Sequence, residues 1–363
     1  MELKAQGELM MKRLIFWGWV VVLVSFSHSF VWAKSTLRSP WDYKKIKLTN
    51  YSYHCPKWKK LSPNAEFHGF YKKNTPFLAS IIDIKKMKVY QKCSRPYKRM
   101  VAHIITAADA YQQTGSRLAA QCVIQGLQRM ANEGIFRGKL SRQGLFVSVW
   151  LTNALAIAYL KIRESGLVTP SEYQSITKWM QQIARQTQIY YNARLAKAWK
   201  HNLNNLFYWA GLEVASVGIV SNDSKLFQWG MLAYQNGVRQ ITNQGTLPLE
   251  MRRGPRALHY HLFAVAPLVY LAEYGTDNGL NLYKKNHGAL HRLVNRVIAG
   301  LMNNQYFQKQ TGVKQDTPGQ FITAGDIEWA VPYVHRFPNP IISRLISRSR
   351  SLNYLYLGGL PPA

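Results

Sequence analysis

Acidic residues are scarce in this chain of 363 residues, where 17 Asp and Glu face 47 Lys and Arg and leave a formal net charge of +30. No pair of carboxylates stands out of the kind with which glycoside hydrolases flank the bond they break. The GxSxG nucleophile elbow and the P-loop are also absent, so serine hydrolysis and ATP chemistry have no support. A positive field of this size attracts polyanions, but it does not identify the polyanion.

Cysteine is also rare, and metal-binding patterns are lacking. The chain has only Cys55, Cys93 and Cys122, with no CxxC spacing, so a zinc site is not predicted. His287 and His291 have the i, i+4 spacing of a metal pair, but no glutamate follows His287 as a zincin requires. In an oxidising compartment two of the cysteines can form a disulfide, and these residues leave all three pairings open.

No long apolar stretch extends the apolar run near the N-terminus, which is too short to span a bilayer comfortably. The run follows Lys12 and Arg13, reads LIFWGWVVVLV, and is followed by polar residues and VWA. This order predicts a secretory signal peptide over residues 1–33, cleaved after Ala33, with an uncleaved anchor as the alternative. Cleavage removes three Lys or Arg and two Glu and leaves a net charge of +29.

Export determines which partner we expect. It places the protein in the periplasm and argues against nucleic acid, so we predict an acidic polysaccharide as partner, with an anionic envelope surface as the alternative. We expect the mature protein to be a monomer that has no stable membrane insertion after the signal peptide is removed.

The remaining pattern is helical. Residues 34–75 are basic, aromatic and punctuated by proline, which predicts an irregular arm laid over a single domain of residues 76–363. From Val101 onward, apolar residues recur at helical steps, with breaks at Gly115 and Gly166 and a capping box that starts at Thr169. Period-two alternation is almost absent. The sequence therefore predicts an all-α fold, either a bundle or a helical barrel.

One basic stretch, MRRGPRALHYH at residues 251–261, combines arginines with a phenol. Proline after Gly254 predicts a helix start, since a first-turn N–H has no partner in any case. Arg256 and Tyr260 are then four residues apart and share one face, and Arg253 can reach the same place from just before the helix. The alternative is a solvated basic helix end with a half-buried tyrosine.

Basic, amide and aromatic residues also cluster at residues 200–209, 247–261 and 328–333. Such groups suit an acidic sugar chain, and they suit β-elimination from a uronic acid. That reaction neutralises the C6 carboxylate, removes the C5 proton and protonates the departing O4. A tyrosine can carry out both proton transfers if neighbouring positive charge lowers its pKa from about 10.

Five segments in register resemble the alginate lyase family, whose members cleave polymannuronate in the bacterial periplasm. The resemblance is strong from about residue 200 to the C-terminus and weaker back to Cys55, and its segments are NNLFYW, LPLEMRRGPRALHYHLFAVAPL, NHGALHRLVNRVIAG, EWAVPY and YLGG. It implies an incomplete α/α toroid with a tunnel-like cleft. It also implies β-elimination without a metal or another cofactor.

The resemblance assigns roles to individual residues. Asn205 and Arg253 would neutralise the carboxylate, and Tyr260 would serve as both base and acid. Cysteines at the places of Cys55 and Cys122 form the implied disulfide, which leaves Cys93 free. The residues predicted to bind substrate are Trp209, Arg256, Asn204, Tyr208, Trp329 and Lys72.

Two positions depart from the family pattern. Leu206 occupies the place of a histidine that takes part in catalysis, and Phe70 falls at the place of a cleft lysine, although Lys72 and Lys73 are near. The leading hypothesis is a polyuronate lyase. The alternative is a catalytically weakened polyanion-binding protein of the periplasm that has kept the lyase cleft.

Leu206 also bears on which polymer would be cleaved. In mannuronate and glucuronate the C5 proton and O4 leave from the same side, so one tyrosine suffices, whereas guluronate needs a second group across the ring. His201 and His259 are the nearest replacements in sequence, but an ideal helix points His259 about 100° away from Tyr260. We therefore predict a lyase restricted to same-side elimination on polymannuronate or a glucuronate-containing polymer.

Overall fold

Thirteen α-helices form the framework of the protein in a computed structural model, which describes residues 36–196, 203–317, 319 and 321–362. The predicted signal peptide and His201 lie outside the described residues. The helices are α1 Ile84–Thr114, α2 Arg117–Asn132, α3 Arg142–Ile162, α4 Pro170–Ala196, α5 Asn205–Ser221, α6 Ser224–Gln240, α7 Pro248–Met251, α8 Ala257–Asp277, α9 Lys285–Met302, α10 Gln305–Thr311, α11 Ala324–Ile327, α12 Ala330–Arg336 and α13 Pro340–Ser347.

The long helices are arranged in two layers. An inner row of α1, α3, α5 and α8 packs side by side, and an outer row of α2, α4, α6 and α9 covers it. Helices α3, α5 and α8 are buried nearly all round, whereas α2, α6 and α9 bury one face. Among the described residues, β-structure is confined to isolated bridges. The all-α prediction is confirmed, and the arrangement is an α/α toroid.

Helix α3 is the most apolar part of the inner row. The segment Arg142–Ser165 is long and apolar enough to cross a membrane by length and composition, yet 94% of its most apolar window is buried inside the protein. Burial by neighbouring helices explains the composition, because an inner helix of a toroid has no face on solvent. The segment is therefore the central core helix of the fold.

Three local signals predicted helix boundaries correctly. Gly115 and Gly166 both adopt the left-handed conformation that ends a helix, at φ 72° and φ 70°. The backbone N–H of Thr169 donates to Glu172 Oε2 at 2.8 Å, and the Thr169 hydroxyl accepts from the Glu172 N–H, which confirms the capping box. Helix α1, however, begins at Ile84, well before Val101. Its first half is rich in lysine and contains a proline, so no apolar period marks it.

The N-terminal arm is attached to the helices by a disulfide and by backbone pairing. Cys55 forms a disulfide with Cys122 on α2, and Cys93 is free and exposed, as predicted. Isolated bridges join Thr49 to Ser116 and Ala65 to Leu140. Residues from Thr36 to the C-terminus, the arm included, form one compact unit.

A buried ion pair anchors the C-terminal segment. Lys161 on α3 and Asp109 on α1 are 3% and 5% exposed, and Lys161 Nζ lies 2.5 Å from Asp109 Oδ1. The Lys161 ammonium also donates to the carbonyls of Gly358 and Leu360 at 2.7 Å and 2.8 Å. These bonds hold residues 358–360 against the inner helices, directly after the residues 354–356 that border the cleft described below.

Candidate active site

A cleft of about 700 Å³ opens where the inner helices meet the arm. It collects residues from the start of α3, the end of α4, the starts of α5 and α8, the first half of α1, residues 69–82 and the C-terminal segment. The lining residues are Gly69, Phe70, Tyr71, Leu78, Ala79, Ile82, Met87, Tyr90, Gln91, Lys98, Arg142, Gln143, Phe146, Trp150, Tyr190, Tyr191, Arg194, Asn204, Asn205, Leu206, Arg253, Arg256, His259, Tyr260, Phe263, Tyr354 and Tyr356.

All three predicted catalytic residues lie on this cleft. Asn205 comes from the first turn of α5, Arg253 from the turn before α8, and Tyr260 from the first turn of α8. Two of the predicted substrate-binding residues, Asn204 and Arg256, line it as well. The sequence prediction therefore brought together groups that are separated by about fifty residues in the chain.

Four predicted substrate-binding residues lie elsewhere, which corrects the sequence-based assignment. Trp209 and Trp329 are fully buried, and their indole N–H groups donate to the backbone carbonyls of Phe263 and Asp326, both at 2.8 Å. For Trp209 the error has a physical reason, because α5 is apolar all round and its sequence does not indicate which face meets the cleft.

The other two misplaced residues are Tyr208 and Lys72. Tyr208 is buried behind the cleft, where its hydroxyl accepts a hydrogen bond from Gln240 Nε2 at 3.1 Å. Lys72 is exposed and is not among the cleft residues, although its backbone N–H pairs with the Ile81 carbonyl at 2.9 Å. Neither side chain is placed to bind a polymer in the cleft.

A buried carboxylate that sequence reasoning missed connects Asn205 to Arg253. Glu250 is fully buried; its Oε1 accepts the backbone N–H of Asn205 at 2.8 Å, and its Oε2 lies 3.5 Å from Arg253 Nε. Burial raises the pKa of Glu250, and the guanidinium of Arg253 opposes that shift. Glu250 thus ties the start of α5 to the turn before α8 and fixes two groups that face the same cleft.

Tyr260 lies between two guanidinium groups. The Arg253 and Arg256 carbons Cζ are 4.5 Å and 5.7 Å from the centroid of its ring, which confirms the predicted clustering of Arg256 with Tyr260. Its hydroxyl forms hydrogen bonds with the Tyr71 hydroxyl at 2.7 Å and with the Ala79 carbonyl at 3.1 Å. The ring is 8% exposed.

The net pKa shift of Tyr260 is opposite to the sequence expectation. Burial raises the pKa of this phenol and Tyr71 raises it further, while Arg253 and Arg256 act to lower it without prevailing. The expectation considered the arginines alone, because burial is invisible in the sequence. With residues 69–82 over the cleft, Tyr260 is therefore protonated at neutral pH.

Residues 69–82 form a strap over the cleft. Its ends are held together by hydrogen bonds from the Lys72 N–H to the Ile81 carbonyl and from the Asp83 N–H to the Phe70 carbonyl, at 2.9 Å and 2.8 Å. The Leu78 carbonyl accepts from Arg253 Nη1 at 3.1 Å, next to the contact between Ala79 and Tyr260. The strap therefore occupies the hydrogen-bonding groups that a substrate would use.

The two family departures and a neighbouring histidine also face the cleft. Leu206 and Phe70 both line it, and neither supplies a proton acceptor or a cation. His259 lines it too, with its ring centroid 5.2 Å from that of Tyr260, so an angle of about 100° between successive residues of α8 still leaves both side chains on the cleft. The cleft covers two adjacent faces of the first turn of α8. Burial and the charge of Arg256 lower the pKa of His259 to about 3, so its imidazole is neutral.

Aromatic and basic side chains that were not predicted complete the walls. Trp150 stacks on Tyr356 at 5.1 Å and meets Phe263 edge-on at 5.7 Å. Arg194 lies over the ring of Tyr190 at 3.3 Å. Flat aromatic faces and guanidinium groups match the apolar faces and carboxylates of an acidic sugar chain. Among the described residues, no group of three or more His, Cys, Asp or Glu is placed to hold a metal ion.

Comparison with known proteins agrees with this geometry. The sequence pattern of the family described as "Alginate lyase" matches residues 72–307. A polysaccharide lyase of Stenotrophomonas maltophilia is 34% identical over 265 residues, 72% of this chain and 77% of the relative. An alginate lyase of Pseudomonas aeruginosa is 27% identical over 257 residues, 69% of each protein.

Solved structures share the fold. A tetrasaccharide complex of a variant of alginate lyase A1-III superimposes with a TM-score of 0.70 at 22% identity over 86% of each chain. Alginate lyase A1-III from Sphingomonas species A1 gives a TM-score of 0.64 at 20% identity over 90% of this chain and 87% of that chain. Sequence and fold lead to one conclusion: this chain belongs to the alginate lyase family and is a polysaccharide lyase.

Proposed function

We propose that the mature protein cleaves a mannuronate- or glucuronate-containing polyuronate by metal-independent β-elimination, with Tyr260 as both base and acid. The observation that carries the proposal is the position of Tyr260 between Arg253 and Arg256 on the cleft that Asn205 also lines. The alginate lyases among the relatives support an acidic polysaccharide as the substrate.

In the proposed reaction the substrate carboxylate lies against Arg253 and Asn205. A guanidinium and an amide donate hydrogen bonds to the carboxylate and stabilise the negative charge that develops when C5 loses its proton. Glu250 holds both donors in place from behind. The substrate must first displace the Leu78 carbonyl from Arg253, because the strap occupies that group in the free protein.

Tyr260 reacts as the phenolate, after its proton has passed to water. The phenolate oxygen takes the C5 proton, the C4–C5 double bond forms, and the C4–O4 bond breaks. The phenol then gives the same proton to O4, so Tyr260 ends the cycle as the phenolate and no net proton is needed. Displacement of the strap favours the phenolate, because it removes the bonds to Tyr71 and Ala79 and leaves the charges of Arg253 and Arg256.

The cleft side of α5 determines the stereochemical preference. Its described residues are Asn204, Asn205 and Leu206, and none of them takes up a proton at neutral pH. His259 lies in the same helical turn as Tyr260, so it would face the bound sugar from the side of α8, as Tyr260 does. Elimination in which both transfers occur on one side, as in mannuronate and glucuronate, needs only Tyr260.

The test incubates purified protein with polymannuronate, polyglucuronate and polyguluronate and follows the ultraviolet absorbance of the unsaturated product. Tyr260→Phe should abolish turnover, while Tyr51→Phe, at a tyrosine that is 63% exposed, should leave it unchanged. Polyguluronate as the best substrate would contradict the stereochemical argument, and His259→Ala would then test whether His259 supplies the second group. Tight binding without cleavage of any polymer would favour the polyanion-binding alternative.

We also propose that the protein acts in the periplasm as a monomer. The charged, apolar and small-residue order of residues 1–33 supports export, and the Cys55–Cys122 disulfide supports an oxidising compartment. N-terminal sequencing of the exported protein should give Lys34 as the first residue. Light scattering should give the mass of one mature chain, and a dimer mass would refute the monomer.

A further inference from the structure

A second concavity of about 630 Å³ runs along α1 on the side of the C-terminal segment. We call it the α1 groove. Its lining residues are Gln91, Ser94, Arg95, Lys98, Arg99, Ala102, Ile105, Thr106, Asn353 and Leu355. The reaction proposed above uses none of the side chains that are confined to this groove.

The α1 groove is strongly basic. Arg95, Lys98 and Arg99 lie within two helical turns, and no carboxylate of the described residues forms an ion pair with any of them. Like charges one turn apart destabilise a helix, so this arrangement costs stability in the free protein. An anionic ligand in the groove would remove that cost.

Lys98 connects the α1 groove to the cleft. Both Lys98 and Gln91 line the two concavities, so the concavities adjoin. The Lys98 ammonium lies 4.8 Å from the ring centroid of Tyr90 and 6.0 Å from that of Tyr356, and both rings belong to the cleft wall. A polymer that leaves the cleft past these rings reaches Lys98 first and then the two arginines.

We propose that the α1 groove is an outer subsite, which binds uronate units of the polymer beyond those held in the cleft. The inference rests on the proposed function and extends it. Arg95 and Arg99 are four residues apart and point from one face of α1, so each guanidinium can bind the carboxylate of a different sugar unit. Lys98 binds the unit at the junction, and the aromatic rings beneath it hold the sugar face.

The test compares a long polyuronate with a trisaccharide of the same uronate as substrates. In the double variant Arg95→Gln/Arg99→Gln, KM for the long polymer should rise about threefold to tenfold, whereas kcat and the kinetics of the trisaccharide should not change. The matched control is Arg344→Gln/Arg348→Gln, on α13 and at the residue that caps its C-terminal end, where two exposed arginines also lie four residues apart. It removes the same charge from another face.

The outcomes separate the subsite from the general field of the protein. An equal rise of KM in the groove and control variants would assign the effect to net charge, and an unchanged KM in the groove variant would overturn the proposal. If the wild type cleaves neither substrate, the proposed function fails. The subsite proposal is then tested by measuring the affinity for the long polymer by calorimetry. That affinity must be weaker in the groove variant and unchanged in the control.

Discussion

Replacing Lys161 with methionine would leave Asp109 buried without its partner, and the structure indicates the cost. Breaking a buried ion pair by removing one member costs about 3–5 kcal/mol. Alternatively, Asp109 can take up a proton and stay buried as a neutral group. Protonating a carboxyl of ordinary pKa 3.8 at pH 7 costs about 4 kcal/mol. Both calculations give a loss of about 4 kcal/mol in the free energy of unfolding, which is a large fraction of the stability of a typical domain.

The assay is denaturant unfolding of the wild type, Lys161→Met and the double variant Lys161→Met/Asp109→Asn at pH 7. The double variant should regain much of the loss, because it removes the stranded charge together with its partner. The loss in the single variant should shrink at low pH, where Asp109 is protonated without cost, since burial already raises its pKa. A single variant within about 1 kcal/mol of the wild type would refute the reasoning.

Three further predictions concern the cleft. Affinity of the mature protein for polyuronate should fall steeply with added salt because of its net charge of +29, and equal affinity at low and high salt in a titration would contradict it. Leu206→His should raise the activity or extend it to polyguluronate, and an unchanged substrate profile in the ultraviolet assay would argue against the role assigned to that position. Since burial and Tyr71 raise the pKa of Tyr260, the rate should increase with pH as the phenolate forms. Tyr71→Phe removes one raising group and should move this rise in kcat/KM to lower pH, so an upward shift in a pH–rate profile would count against the mechanism.

The parts of the fold that the sequence predicted are those set by local chemistry. The capping box at Thr169 and the left-handed glycine at Gly115 depend on residues within one turn, and both are confirmed. The grouping of Arg256 with Tyr260 follows from helical periodicity alone. The family motifs added Asn205 and Arg253, which lie far apart in the chain but on one cleft.

What escaped prediction depends on contacts between distant segments. Trp150 and Tyr356 carry no sequence mark that separates a cleft wall from a core, since they are about two hundred residues apart. Tyr208 and Trp209 occupy a helix that is apolar all round, so no periodicity shows which face meets solvent. The protonation of Tyr260 depends on burial under the strap, and burial cannot be read from the residues that neighbour Tyr260 in the sequence.

The strap contacts Arg253 through the backbone carbonyl of Leu78, and it contacts Tyr260 through the Ala79 carbonyl and the Tyr71 hydroxyl. The contact with Arg253 has a consequence for selectivity. A carbonyl is a neutral acceptor, and a carboxylate binds a guanidinium about twice as strongly. When the cleft opens, the substrate replaces the Leu78 carbonyl on Arg253. The carboxylate of an anionic sugar binds Arg253 strongly enough to drive this exchange, whereas an uncharged sugar does not. In the resting protein the Leu78 carbonyl is a weak competitor for Arg253, and it disfavours the entry of neutral polysaccharides. Because this group belongs to the backbone, substitution of the Leu78 side chain does not remove it.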